Sequence, residues 1–239
     1  MLVALAVQGD AAVVEALKGY KHPWEDFGNG SSVTAKETIM RPDIDKSGKL
    51  VYRPVANEIT STVMAAAGEK TTLKIEGAGQ ESYIPYYLAQ PSWARGRGEL
   101  KGTESIAIGS AKHECQVYQI ALDLNKDAGQ VTVICKSPTV PYWAVRWRTE
   151  TLAQGRPNTS EEELVLEVDA KVKVGDRDVS CVLVQSTVEA GATKTVKKEW
   201  RSEEVPGRVA KREVRQYREG KEVESSFSQM DVVRFKGKR

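Results

Sequence analysis

The chain has 239 residues, and its 35 Lys and Arg against 33 Asp and Glu leave a formal net charge of +2, which excludes nucleic-acid binding driven by bulk charge. Hydrophobic residues at 40% and charged residues at 28% exclude a disordered or membrane-spanning chain, and folding at this mass hides roughly 70% of the unfolded surface, enough for a core without staples. Two His and three Cys make a multi-ligand zinc centre hard to build, so no metal and no cofactor is expected.

Met1 to Val7 is an apolar run too short to cross a bilayer, which needs about 20 residues. It resembles the end of a secretory h-region, with Ala4 and Ala6 as small residues before a cleavage site but no charged segment ahead of them. Residues 1–9 are therefore read either as a signal-peptide remnant or as a short buried strand. Asp10 can cap a helix over Ala11 to Lys18, with Gly19 to end it and Pro23 beyond. His22-Pro23-Trp24 and Phe27 then lead through Gly28 and Gly30 into Ser31-Ser32-Val33, an aromatic plug before a strand. Turn residues recur at 45–48, 67–69, 126–129, 175–176, 190–191 and 218–221, the punctuation of an antiparallel meander, sandwich or open barrel. The segment Tyr83 to Gly102 breaks the pattern and is read as a long loop. It holds Tyr83, Tyr86, Tyr87 and Trp93 with Pro85 and Pro91, and these four aromatics are the candidate ligand-binding residues, either as a lid over a groove or as a loop packed on the sheet.

From Leu100 an internal repeat organises the chain. Ile106, Ile108, Gly109, Cys115, Val117 and Gln119 match Val172, Val174, Gly175, Cys181, Leu183 and Gln185 at a spacing of 66. Val140-Pro141 is matched by Val205-Pro206 at a spacing of 65. The expected organisation is a single β-rich domain over 1–239, with an opening and aromatic loop at 20–99, one copy at 100–165 and a second at 166–239. Trp143, Val145 and Trp147 alternate with Arg146 and Arg148, the period of a half-buried strand, and Val179 to Val184 reads as a strand covered on both faces. A hairpin turning at 125–129 would set Cys115 opposite residue 139 or 140, out of disulfide reach of Cys135, so Cys115, Cys135 and Cys181 are expected to be buried thiols, with a Cys115 to Cys181 bridge open if their strands are neighbours. Residues 194–239 carry 14 basic and 8 acidic side chains, net +6, which leaves −4 for residues 1–193. Such a unit could meet anionic lipid headgroups, or its charges could pair across strands; with Tyr217 the one aromatic between Arg208 and Arg218, RNA binding is not expected.

Two strings carry a resemblance. His22-Pro23-Trp24, Phe27, Gly30-Ser31, Val33 and Lys36, with the later Trp200, Ser202, Val205-Pro206-Gly207, Val209 and Lys211, resemble uncharacterised secreted bacterial β-rich proteins. The architecture is also similar to the curved-sheet scaffolds of lipoprotein carriers of the LolA type. Ser32 and Cys135 stand where an aromatic residue would complete each pattern. The resemblance implies a β scaffold and transfers no catalytic residue.

No Gly-x-Ser-x-Gly elbow and no phosphate-loop string occurs, and Gly77-Ala78-Gly79 lacks the third glycine of a dinucleotide loop. The acids Glu161 to Glu163 and Glu203 to Glu204 sit in charged, turn-like text. The expected fold is mainly β, an antiparallel curved sheet, open barrel or sandwich from two related modules with a short N-terminal helix. The expected function is non-enzymatic: a periplasmic or secreted binding or scaffold protein for an apolar ligand or an envelope protein segment, with the cytoplasm and the oligomeric state left open. The rivals are a hydrolase using those carboxylates and a purely structural module of the cell envelope.

Overall fold

The computed structural model describes residues 10–67, 70–87 and 90–237, without the side chains of Ala67 and Tyr87, so the run at 1–9 and the Tyr87 ring lie outside the described residues. In chain order the elements are α1 (Ala11–Leu17), β1 (Ser32–Ile44), β2 (Leu50–Ala67), β3 (Lys70–Gly77), β4 (Gln80–Tyr87), a 3-10 turn at Ser92–Arg95, β5 (Arg97–Ile108), β6 (Ala111–Asn125) and β7 (Ala128–Lys136). They continue with β8 (Arg146–Ala153), β9 (Arg156–Val174), β10 (Arg177–Ala190), β11 (Thr193–Arg201), β12 (Val209–Arg218), β13 (Lys221–Glu222), a 3-10 turn at Glu224–Ser226 and β14 (Ser228–Lys236). The strands form an antiparallel sheet of fourteen that does not close into a barrel. Of the expected arrangements, the single antiparallel sheet is the one formed. The residues fall into two compact units.

The first unit holds the residues up to Tyr20 and Gln90–Glu162. Asp10 starts its helix as expected: one carboxylate oxygen accepts the Ala12 N–H at 3.0 Å and the other the Gly98 N–H at 3.1 Å. The three-residue spacing of Val13 and Ala16 puts both on one helix face, where they pack with Trp93, Tyr118, Ile120 and Ile134. Ile120 and Ile134 are wholly buried, which contributes roughly 1.5–3 kcal/mol each over an exposed position. Lys136 on β7 donates to the carbonyls of Glu15 and Lys18 at 2.7 and 2.5 Å, closing the open end of α1 with a positive charge where the helix dipole is negative. Gly96 follows the 3-10 turn because a Cβ there would stand 2.5 Å from the Ala121 carbonyl oxygen of β6.

The β6–β7 ladder corrects the expected cysteine geometry. Val117 lies opposite Cys135 and Gln116 opposite Lys136, with an irregularity between Asp123 and Asn125, so Cys115 is a diagonal neighbour of Cys135 and does not reach residue 139 or 140. All three cysteines are free and buried. Burial, with a smaller push from nearby acids, raises Cys115 to about 11, and burial above all raises Cys181 to about 11. Cys135 is also raised, by burial first, although the Arg146 guanidinium lies 3.6 Å from its sulfur. Two consequences follow from thiols held protonated by the fold. The folded protein at pH 8 should resist a thiol reagent that labels all three cysteines in urea, and stoichiometric labelling of the folded chain would contradict this. Folding favours the protonated thiol, so this part of the stability is complete below the unfolded value near 9 and is lost as pH rises toward about 11. Denaturant midpoints measured from pH 8 to 11 should fall across that window.

The strand expected over Trp143 to Trp147 begins only at Arg146, where β8 first pairs with Cys135. Pro141 and the turns around it keep Trp143 off the ladder, although Val145 still donates its N–H to the Cys135 carbonyl at 2.8 Å.

The second unit holds Lys21–Ala89 and Glu163–Arg239. Ala35, Val174, Val179, Cys181, Val205, Ala210 and Val232 form its main core. The two strings that carry the resemblance meet in this unit. Trp24 and Phe27 pack on Val63 and Leu73, and Gly207, at φ +80°, lies beneath the Trp24 ring. Arg208 next to it, itself at φ +57°, donates to the His22 carbonyl at 3.2 Å, to Asp26 at 3.1 Å and to Glu203 at 2.7 Å. The "Pro-Gly-Arg" of the second string is thus a clasp over the aromatic plug of the first.

The expected long loop at 83–102 is instead the strand β4, the 3-10 turn and the start of β5. The segment breaks the pattern of its surroundings, yet Pro85 within it is compatible with an edge strand. β4 ends the strand order, and Ala78-Gly79, both at positive φ, close a two-residue turn between Gly77 and Gln80. The same turn accounts for the Gly77-Ala78-Gly79 string. In such a hairpin the hydrogen-bonded pairs fall at 77/80, 75/82, 73/84 and 71/86, so Pro85, opposite Thr72, turns its missing N–H toward the open edge. Tyr83, Ile84 and Tyr86 are exposed beside it, and a proline there blunts an apolar edge. Pro85→Val should therefore give concentration-dependent association in sedimentation velocity; an unchanged sedimentation coefficient over the concentration range would refute this role.

Candidate functional site

The first unit contains a half-open cleft of about 250 Å³. Its walls are aromatic: three of the five tryptophans of the chain, Trp93, Trp143 and Trp147, line it together with Tyr20. Trp143 is the centre. It lies nearly parallel to Trp93, with centroids 6.1 Å apart and planes at 14°, is met by Tyr20 edge-on at 5.3 Å, and is tilted 37° to Trp147 at 6.5 Å. Trp93, 4% exposed, is the backing of the wall, while Trp143, Trp147 and Tyr20 are half-buried and present surface to the cleft. Trp93 is placed by the 3-10 turn that Gly96 allows to approach β6, and Trp147 by the second position of β8.

The polar lining is largely spent on itself. Ser92 donates its hydroxyl to the Gln130 side-chain oxygen at 3.0 Å, and the Thr149 hydroxyl is 2.8 Å from that of Thr132. Glu161 is exposed at the rim and has no ion-pair partner among the described residues. None of the lining residues is Lys or Arg.

Of the candidate residues, Trp93 lines this cleft. Tyr83 and Tyr86 lie in the other unit, on β4, where residues an odd number apart point to opposite faces, and Tyr86 packs against His22 at 5.0 Å. Tyr83 and Tyr86 therefore do not share a face of β4. Burial lowers the His22 imidazole below its usual 6.5, with Arg208 acting in the same direction, and its Nδ1 accepts the Trp24 N–H at 3.3 Å. Sequence reasoning placed Trp143 and Trp147 on a strand face without joining them to Trp93, because strand alternation says nothing about a ring contributed by a distant turn.

The acidic candidates are not uniformly solvated, as their charged context implied. Glu163 is buried on β9, where Arg201 donates to its two oxygens at 3.0 and 2.7 Å and the Ser186 hydroxyl donates at 3.2 Å. The same Arg201 reaches Glu199, also buried, at 2.6 Å, and Glu199 accepts from Arg212 at 2.7 Å. Glu161 and Glu163, two residues apart on β9, share a face of the strand, and what distinguishes them is that Arg201 and Ser186 meet Glu163 where it is buried. Glu203 pairs with Arg208, and Glu204 with Arg177 at 2.7 Å. Much of the basic excess in 194–239 is consumed in the same way, as Lys211 with Glu213 and Arg215 with Glu222 show.

No family and no curated protein matches the chain. Two solved structures are similar to it. One, from Bacteroides fragilis, is described as an exported protein with a YMCC-like fold; it has 11% identity and a TM-score of 0.34, over 91% of this chain and 100% of that one. The other is a DUF1329 family protein from Desulfovibrio piger, with 10% identity and a TM-score of 0.36, over 95% of this chain and 92% of that one. Neither is described as a lipoprotein carrier, and likeness at this level says nothing of what this chain binds.

Proposed function

We propose that this chain is an extracytoplasmic binding or scaffold protein whose ligand-accepting surface is the tryptophan cleft of the first unit. The reading rests on one observation, the gathering of Trp93, Trp143 and Trp147 with Tyr20 around about 250 Å³ of half-open space. Rings that pack only for stability close on one another; here Trp143, Trp147 and Tyr20 stay half-buried and line a hollow. The short apolar run Met1 to Val7 supports a compartment outside the cytoplasm. The engagement of Glu163, Glu203 and Glu204 by arginines favours binding over carboxylate chemistry. Mass spectrometry of the purified protein under native conditions, with uptake of an environment-sensitive naphthalene dye, tests the reading. Dye uptake should fall in Trp147→Ala, and uptake equal to that of the parent would reject the cleft as the binding surface.

A scaffold role through β4 is favoured by the exposure of Tyr83, Ile84 and Tyr86 on its edge. Tyr83→Ser with Tyr86→Ser should then reduce recovery of envelope proteins in pull-downs while leaving dye uptake intact.

A further inference from the structure

The cleft also carries a preference of chemical class, and the argument rests on the binding role just proposed. Its volume of about 250 Å³ is below the roughly 300–1,000 Å³ of sites for drug-sized ligands, so it holds one head group and not an acyl chain. An anionic group would meet the unpaired Glu161 carboxylate with no Lys or Arg in the lining to offset it. A polyhydroxylated ring needs several free hydrogen-bonding partners, whereas the Ser92 hydroxyl is given to Gln130 and the Thr149 hydroxyl is shared with Thr132. What the cleft does offer is aromatic faces at several angles and one carboxylate. That pairing fits a cation with an apolar surface, which gains from the negative faces of the rings while its charge is answered by the carboxylate.

We infer that the Trp143, Trp147 and Tyr20 walls, with Glu161 at the rim, form a site for a quaternary or methylated ammonium group. Such a group can arrive free, as in choline, or on the headgroup of a zwitterionic lipid.

The test uses the full chain and reads tryptophan fluorescence and titration calorimetry with choline chloride and tetramethylammonium chloride. The neutral isostere 3,3-dimethylbutan-1-ol and methyl glucoside serve as comparisons, and sedimentation with dioleoyl phosphatidylcholine vesicles separates the lipid-borne source from the free one. Both ammonium ions should bind saturably, the neutral isostere about tenfold more weakly, and Glu161→Gln should weaken choline binding about tenfold while leaving the isostere unchanged. Because Glu161 is exposed, that variant should melt with the parent, and Trp147→Leu gives a second, ring-removing loss. Equal affinity for choline and its isostere, or choline binding indifferent to Glu161→Gln, would overturn the inference. Binding of methyl glucoside alone would overturn it while keeping the cleft as a binding site. Silence from every probe, with dye uptake unaffected by Trp147→Ala, would remove both.

Discussion

Arg201→Leu is expected to destabilise the protein by about 3–5 kcal/mol, because it leaves Glu163 and Glu199 as buried carboxylates sharing a dry site with too little positive charge. In the parent, one guanidinium spans both acids: it makes two parallel bonds to Glu163 at 3.0 and 2.7 Å and reaches Glu199 through Nε at 2.9 Å. After the change Arg212 at 2.7 Å and Lys197 at 3.5 Å still face Glu199, and the Ser186 hydroxyl still donates to Glu163 at 3.2 Å. Urea titrations would show the loss, and pairing Arg201→Leu with Glu163→Leu should recover a large part, since removing both charges also removes the desolvation cost. A double variant as unstable as the sum of the two singles would contradict this account.

Trp24→Ala should cost about 3–5 kcal/mol, the range for deleting a large buried aromatic side chain. Trp24 is 8% exposed and packs with Phe27, Val63 and Leu73, while its ring covers Gly207. Removing it opens a hole bounded on one side by the left-handed Gly207-Arg208 turn. The collapse that would fill this hole has to break the Arg208 bonds to the His22 carbonyl, Asp26 and Glu203. Gly207→Ala probes the same contact from the other side, since its Cβ would stand 3.1 Å from the Trp24 ring on a backbone at φ +80°. A smaller loss of about 1–2 kcal/mol is expected there. Scanning calorimetry on the two variants checks both numbers; a Trp24→Ala melting temperature within a degree of the parent would show that the ring is no plug.

The fold class was legible because strand alternation and turn residues are local. Asp10 and Gly19 bracketed α1, and the Gly109 and Gly175 turns lie where the text breaks, each at positive φ between two strands. The Pro85 segment was misread because the cost of a proline in a strand depends on whether its missing N–H faces a neighbour or the open edge, and that is a property of register and of position in the sheet. The Cys115 register was missed for a related reason: a single irregularity between Asp123 and Asn125 shifts every partner beyond it.

Length and composition bounded this protein to a folded chain with few His and Cys for a zinc centre, alternation and turn residues made it β-rich, and the split of +2 into −4 and +6 marked its last strands as the basic part. Only the tertiary structure decided what those charges do. Glu199 and Arg212 meet across strands through register, Lys211 and Glu213 meet as same-face neighbours on β12, and burial makes one arginine answer two acids. The cleft was decided in the same way. Trp93, Trp143 and Trp147 are separated by up to 54 positions in the text, and an aromatic wall forms when a 3-10 turn, a proline-bounded loop and a strand are brought side by side by contacts far apart in sequence.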